Sequence, residues 1–148
     1  MTPDEIRVAL ENAVGIPEEA MRTAMCQSAA VAPAVISAAE SMAAGRLPLR
    51  QGEKLLRFGL HALAAAREAS AFPAFLALLR RPEIELAWLF GQDYGPLVAQ
   101  LMLGLFDGNE AAVSELVADQ GVDEQVRSGL LQALASLACE GRVSRERF

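Results

Sequence analysis

The feature that most constrains the fold of this chain is a recurring unit of two helices separated by a short polar break. The unit is clearest at residues 63–80 and 103–119, and a weaker copy lies at residues 24–40. Superposing Pro33 on Pro73 gives a period of roughly 40 residues, which is typical of stacked helical repeats. Repeats of this kind form extended binding surfaces rather than pockets built around a nucleophile or a metal.

The composition agrees with a helical fold. Apolar residues make up 53% of the chain and aromatic residues only 5%. Alanine dominates the apolar set, and together with leucine, arginine and glutamate it favours helices. No stretch alternates with the period of two that a half-buried strand needs. We therefore predict an all-α fold in one domain, a short right-handed α-solenoid (superhelix) of about eight helices.

Polar residues before apolar runs predict helix N-caps at Thr2, Ser70, Asn109 and Asp123, with the Glu5 carboxylate returning a hydrogen bond to the Thr2 N–H. One helix is expected over about residues 32–44, with Pro33 near its start. The last full helix is expected to bury a stripe of four residues: Val126, Leu130, Leu134 and Leu137.

The repeat units expected from helix starts and breaks are residues 17–45, 49–81, 96–119 and 123–148. The last unit is incomplete, because Ser144 is a new N-cap and the chain ends four residues later at Phe148. So short a helix cannot sustain itself. We expect this sequence to be an N-terminal portion of a longer protein, and an uncapped solenoid end to favour a homodimer.

The charge pattern disfavours nucleic acid and membrane as partners. The formal net charge is −6, the arginines are dispersed, and Lys54 is the only lysine. A nucleic-acid-binding surface needs a basic face. The longest apolar run, residues 29–39, contains Pro33 and is shorter than the ~20 residues that span a bilayer. The N-terminus is acidic, unlike a signal peptide, so we expect a cytoplasmic protein.

Residues that could support metal or catalytic chemistry are few. Cys26 and Cys139 lie far apart, and His61 is the only histidine, whereas a structural zinc ion takes four ligands. We expect both cysteines to be buried, reduced thiols, and His61 to be an imidazole on a helix face. There is no phosphate-binding loop and no nucleophile elbow. The sequence thus predicts no catalytic residue, no metal and no cofactor.

The candidate binding residues lie near the middle of the chain and at one later position. Trp88, Phe90 and Tyr94 could form an aromatic patch for a peptide, with Asp93 and Arg127 as accompanying charged residues. Packing between repeats explains Trp88 equally well. For Arg127, the spacing to the preceding acids at 123 and 124 also predicts an ordinary salt bridge on a helix surface.

Four groups of residues within 61–148 match a known pattern: Phe72-Pro73-Ala74-Phe75 with Leu78-Leu79, Trp88-Leu89-Phe90-Gly91, Asp123-Glu124-Gln125-Val126-Arg127, and the segment 134–145. In these groups the chain resembles a family of bacterial helical proteins called domain of unknown function 1186, with a looser match upstream. The resemblance implies HEAT-like helix pairs, and in many members a later cysteine-rich zinc motif. It implies no activity. Residues 92–96 depart from the acidic turn of the family.

Two functions from different classes remain open. The first is a non-catalytic scaffold whose concave face binds a protein or peptide, and the acidity of the chain favours a basic partner. The alternative is a small enzyme or regulatory subunit whose active residues lie in a missing C-terminal segment or at an oligomer interface. A carboxylate with a strongly shifted pKa in a deep pocket near His61 would favour the enzyme. An exposed groove lined by Trp88, Phe90 and Tyr94 would favour the scaffold.

Overall fold

The computed structural model describes residues 1–46 and 49–141, with the backbone alone described at 49–51. In that part of the chain the protein is all helical, without strands, which confirms the predicted fold class. The described residues form nine α-helices, where the sequence predicts about eight, and one 3-10 turn at Ala69–Ala71. The helices are α1 (Pro3–Glu11), α2 (Glu18–Cys26), α3 (Ser28–Ala43), α4 (Leu49–Ala65), α5 (Phe72–Leu78), α6 (Glu83–Phe90), α7 (Gly95–Leu105), α8 (Glu110–Ala118) and α9 (Glu124–Cys139).

Side-chain caps set several helix starts where the sequence predicts them. The Thr2 hydroxyl accepts a hydrogen bond from the Glu5 backbone N–H at 3.2 Å. It also donates to the Glu5 carboxylate, so that carboxylate bonds the Thr2 hydroxyl rather than the Thr2 N–H. Asn109 caps α8 and Asp123 caps α9, each through a side-chain oxygen that accepts a backbone N–H of the first turn. These bonds satisfy donors that a helix start leaves without a partner.

Two helix starts differ from the sequence prediction. Ser70 is not an N-cap, because its hydroxyl donates to the Glu68 carboxylate at 2.8 Å and α5 begins two residues later, at Phe72. Helix α3 begins at Ser28 and includes Pro33, which the sequence placed near the helix start. A proline inside a helix removes one backbone hydrogen bond. The ring of Pro33 is exposed, so it does not disturb the packing of the buried face.

Helix α4 is the centre of the packing and contacts α1, α2, α3, α6 and α7. Two rows of helices run through the molecule. In one row α2 contacts α4, α4 contacts α7, and α7 contacts α9; in the other α1 contacts α3, and α3 contacts α5. Helix α8 packs on α9. This arrangement of successive contacts is consistent with a helical-repeat fold.

Glycines allow the helices of the first row to approach closely. A Cβ at position 104 in α7 would lie 2.7 Å from the Cβ of Ala64 on α4. A Cβ at position 129 in α9 would lie under 3.0 Å from the carbonyl oxygen of Gly95, at the start of α7. Real Cβ atoms do not come so close to their neighbours, so the backbones meet at these two points only because no side chain is present.

One continuous apolar core joins the helices. The predicted stripe of α9 is confirmed, since Val126, Leu130, Leu134 and Leu137 are all buried. The aromatic face of α5 is also buried, and the rings of Phe72 and Phe106 meet edge to face with centroids 5.6 Å apart. Full burial of each such side chain stabilises the fold by about 1.5–3 kcal/mol before ordering costs.

The expectation that both cysteines are buried is wrong. Cys26 and Cys139 are free thiols on the surface. Each is the last residue of its helix, and Cys139 follows the buried Leu137 and Ala138, so it falls beyond the inward-facing stripe. In the described residues, no helix is both long and apolar enough to cross a bilayer. The predicted cap Ser144 lies outside the described residues.

Candidate binding surface

An exposed apolar pair stands out on α6. Ile84 is 74% exposed and Trp88 is 50% exposed. The two residues are four apart in a helix, so their side chains lie next to each other on one face. The opposite face of α6 carries Leu86 and Leu89, which are fully buried against the core. The helix is thus anchored on one side and presents a large aromatic and an aliphatic side chain to solvent on the other.

A trough that we call the acidic trough runs from Ile84 toward α9. It consists of two adjoining clefts of about 440 Å³ and about 360 Å³, which share Asp93 and Gln125. Ile84 lines the first cleft. Three carboxylates line the trough, those of Glu83, Asp93 and Glu124, and no described lysine or arginine does.

Hydrogen bonds connect α9 to the loop before α7 and to the first residue of α7 at the floor of the trough. The Gln125 side chain donates to the backbone carbonyl of Gln92 at 3.0 Å. Its amide oxygen accepts from the Gly95 N–H at 3.4 Å. Because both ends of one amide are bonded, Gln125 ties the loop to α9 beneath the trough.

Tyr94 is not part of this surface, contrary to the groove expected from the sequence. It is fully buried, and its hydroxyl donates to the Asp123 carboxylate. Burial raises the pKa of the Tyr94 hydroxyl well above its usual value, and the hydrogen bond to Asp123 raises it further. Phe90 is partly buried and packs against the core. Of the three aromatic residues, Trp88 alone is highly exposed.

Of the two charged candidate residues, Asp93 lies at the acidic trough and Arg127 does not. Asp93 is exposed and lines the trough. Arg127 is partly buried, and its Nε donates to the carbonyl of Val117 at 2.9 Å, so it ties α9 to the end of α8. Arg127 therefore bonds a backbone carbonyl instead of forming the expected salt bridge with Asp123 and Glu124. The Asp123 carboxylate accepts hydrogen bonds from the Tyr94 hydroxyl and from the Gln125 N–H.

His61 lies partly buried on α4. Burial lowers its pKa, and the positive charge of Arg57 lowers it further. The carboxylate whose pKa is lowered, Asp119, is exposed and accepts from the Gly121 N–H and from Arg80. Both shifts therefore have ordinary structural causes. Among the described residues there is no cluster of three or more potential metal ligands.

The family model described as "Protein of unknown function (DUF1186)" matches residues 4–148. The chain belongs to this family. The match covers nearly the whole chain, so the likeness that is clearest from residue 61 onward also holds for the helices before it. Searches of curated proteins and of solved structures gave no significant match.

The family match assigns no activity to DUF1186, so the candidate surface of this member depends on its own geometry. Sequence reasoning identified Trp88 and Asp93 but missed Ile84. The spacing of Ile84 and Trp88 shows that the two residues share a helix face, because they are four apart. It does not show that this face is exposed, because all residues of α6 other than Glu83 and Glu85 are apolar and periodicity cannot indicate which side is buried.

Proposed function

We propose that this chain is a non-catalytic scaffold that binds a protein or peptide along the acidic trough. The observation that carries the proposal is an exposed apolar pair beside a trough lined by three carboxylates: Ile84 lines one end of the trough, and Trp88 lies one helical turn further along α6. Tryptophan is enriched among the residues that dominate interface energies. An exposed tryptophan beside an aliphatic side chain, with a charged rim around them, has the layout of a small interface.

The partner chemistry follows from the charges. A segment with one large apolar side chain and flanking lysines or arginines would place the apolar group against Trp88 and its cations against Glu83 and Asp93. Opposite charges of this kind raise the association rate and select against acidic partners. The net charge of −6 acts in the same direction at longer range.

The helical framework supports this role. We further propose that the two helix rows form a right-handed, HEAT-like array, and that the protein acts in the bacterial cytoplasm. Stacked helices present a long rigid surface at little ordering cost, which suits recognition of an extended segment. The trough joins α6 to α9 and so spans neighbouring units of such an array.

The test is selection from a random peptide library on the purified chain, followed by affinity measurements on the peptides recovered. We expect peptides with an aromatic or aliphatic residue flanked by lysine or arginine. Trp88→Ala should weaken binding by about 30-fold, because loss of a central interface tryptophan costs about 2 kcal/mol or more. Asp93→Asn should weaken it by a smaller factor that shrinks in high salt.

The matched control is Met25→Ala, which removes an apolar side chain of 41% exposure from α2. Its peptide affinity should equal that of the unmodified chain. Recovery of acidic peptides, or equal affinities for Trp88→Ala and Met25→Ala, would show that the acidic trough is not the binding site.

A further inference from the structure

A second cleft, of opposite character to the acidic trough, lies between the α1–α2 loop and α4. Its volume is about 480 Å³, and apolar side chains together with two cations line it. The lining residues are Ala13, Val14, Gly15, Ile16, Lys54, Arg57 and Phe58. This is a size at which small molecules are bound in proteins.

The apolar walls of this cleft are unusually open to water. Val14 is 99% exposed and Ile16 is 73% exposed. Gly15 between them has a φ of +85°, a left-handed conformation that glycine adopts readily. Phe58 is partly buried and packs against the core, so it forms the fixed wall opposite the loop. An apolar ligand would cover side chains that the fold itself leaves in water.

Two cationic side chains, Arg57 and Lys54, line the cleft and make its charge positive. Arg57 pairs with Glu53 and donates to the carbonyls of Leu89 and Trp88, so its charge is largely compensated. Lys54 donates to the carbonyl of Ala13 at 2.5 Å, and no described carboxylate forms a salt bridge with it.

An ammonium group has three donors, and the bond to Ala13 uses one. Among the described residues, Lys54 therefore has no carboxylate partner and places a positive charge beside an apolar wall, in a chain whose net charge is −6.

We propose that this cleft binds a carboxylate carried on an apolar body, with the carboxylate at Lys54 and the apolar body against Val14, Ile16 and Phe58. A single ammonium matches the single charge of a carboxylate, and charge-assisted hydrogen bonds of this kind are the stronger ones in proteins. A free fatty acid and the C-terminal carboxylate of an apolar peptide both carry this chemistry. The cleft is separate from the acidic trough, so this proposal does not depend on the peptide-binding role.

The experiment is calorimetric titration of the full chain with decanoate, with decanol, and with one short leucine-rich peptide prepared as its free acid and as its amide. We expect saturable one-to-one binding of decanoate or of the peptide acid, and much weaker binding of decanol and the peptide amide. Whichever acid binds more tightly identifies the source of the carboxylate.

Three variants locate the site. Lys54→Gln should weaken acid binding by about tenfold or more, whereas Lys54→Arg, which keeps the charge, should stay within about threefold. Ile16→Ser should also weaken binding. Val8→Ser removes an exposed apolar side chain from α1, outside the cleft lining, and should change nothing.

Absence of saturable binding by both acids would overturn the proposal, as would equal affinity of acid and neutral probes. Unchanged affinity in Lys54→Gln would overturn it too. If Lys54→Gln unfolds because its bond to Ala13 is lost, the comparison of acid with neutral probes and the Ile16→Ser variant still decide the matter.

Discussion

The close contact between α7 and α9 makes a prediction whose sign is opposite to that of helix propensity. Gly129 lies inside α9, and replacing a glycine by alanine inside a helix ordinarily stabilises it by about 1 kcal/mol. In this structure the new Cβ would lie under 3.0 Å from the carbonyl oxygen of Gly95 and 3.2 Å from the Cβ of Val98. The neighbour is backbone, so it cannot rotate away as a side chain would.

The magnitude follows from how far the two helices must separate. Ordinary van der Waals contact of a Cβ begins at 3.4 Å, so α9 must move away from α7 by several tenths of an ångström or more. Overpacking of this kind costs about 1–3 kcal/mol. Subtracting the propensity gain of about 1 kcal/mol leaves a net cost of about 0–2 kcal/mol. Because the obstacle is backbone, which cannot rotate away, we expect Gly129→Ala to lower the free energy of unfolding by about 1–2 kcal/mol, the upper part of this range.

The assay is urea unfolding followed by circular dichroism, with a thermal melt as a second measurement. For a domain of this size the expected loss corresponds to a fall in Tm of roughly 3–8 °C. Ser128→Ala is the matched control, because Ser128 is the exposed neighbour on the same helix and its change should be neutral or slightly stabilising. If Gly129→Ala were as stable as Ser128→Ala, or more stable, the close approach of α7 and α9 would be wrong.

Three further predictions concern single contacts and protonation. Gly59→Ala should destabilise, because its Cβ would meet Val35 Cγ2 at 2.7 Å. Val35 is fully buried, so Val35→Ala destabilises as well, but the double variant should lose less stability than the sum of the two single losses, which gives a favourable coupling energy in a double-mutant cycle of unfolding free energies. Tyr94, the only tyrosine, has a raised pKa, so tyrosinate absorbance should appear well above pH 10.0 in the folded chain and near pH 10.0 in denaturant; equal titration in both would contradict its buried bond to Asp123. The pKa of His61 is lowered in the folded chain, so below pH 6.5 the unfolded chain binds more protons than the folded chain. The free energy of unfolding should therefore fall as the pH drops below 6.5. His61→Gln should reduce this dependence of the unfolding free energy on pH.

The helices could be predicted because local signals mark them. Caps at Thr2, Asn109 and Asp123 and the regular stripe of α9 depend on residues a few positions apart, and the structure confirms them. Tyr94 could not be placed in this way. It lies among turn residues that indicate exposure, but its hydroxyl bonds to Asp123, 29 positions later in the chain. Only tertiary packing brings the two together.

The sequence also could not predict which face of α6 is exposed to solvent. Helix α6 is eight residues long, and all but its two glutamates are apolar, so a stripe cannot be recognised. Contact with α4 decides which side is buried. The predicted burial of the cysteines was wrong because it used only the general preference of cysteine for the interior. That preference does not take into account that each cysteine is the last residue of its helix.

The carboxylates of the acidic trough differ in what they say about function. Glu83 and Glu124 lie in the first turns of α6 and α9, where a negative charge stabilises the helix through its macrodipole. Their presence has a sufficient structural cause and carries little weight by itself.

Asp93 lies in the loop before α7, is exposed, and caps no helix, since Tyr94 occupies the N-cap position of α7. A charge without a role in folding is the better indicator of a partner. Asp93→Asn should therefore lower affinity for a basic peptide without lowering the free energy of unfolding, whereas Glu83→Gln should lower both.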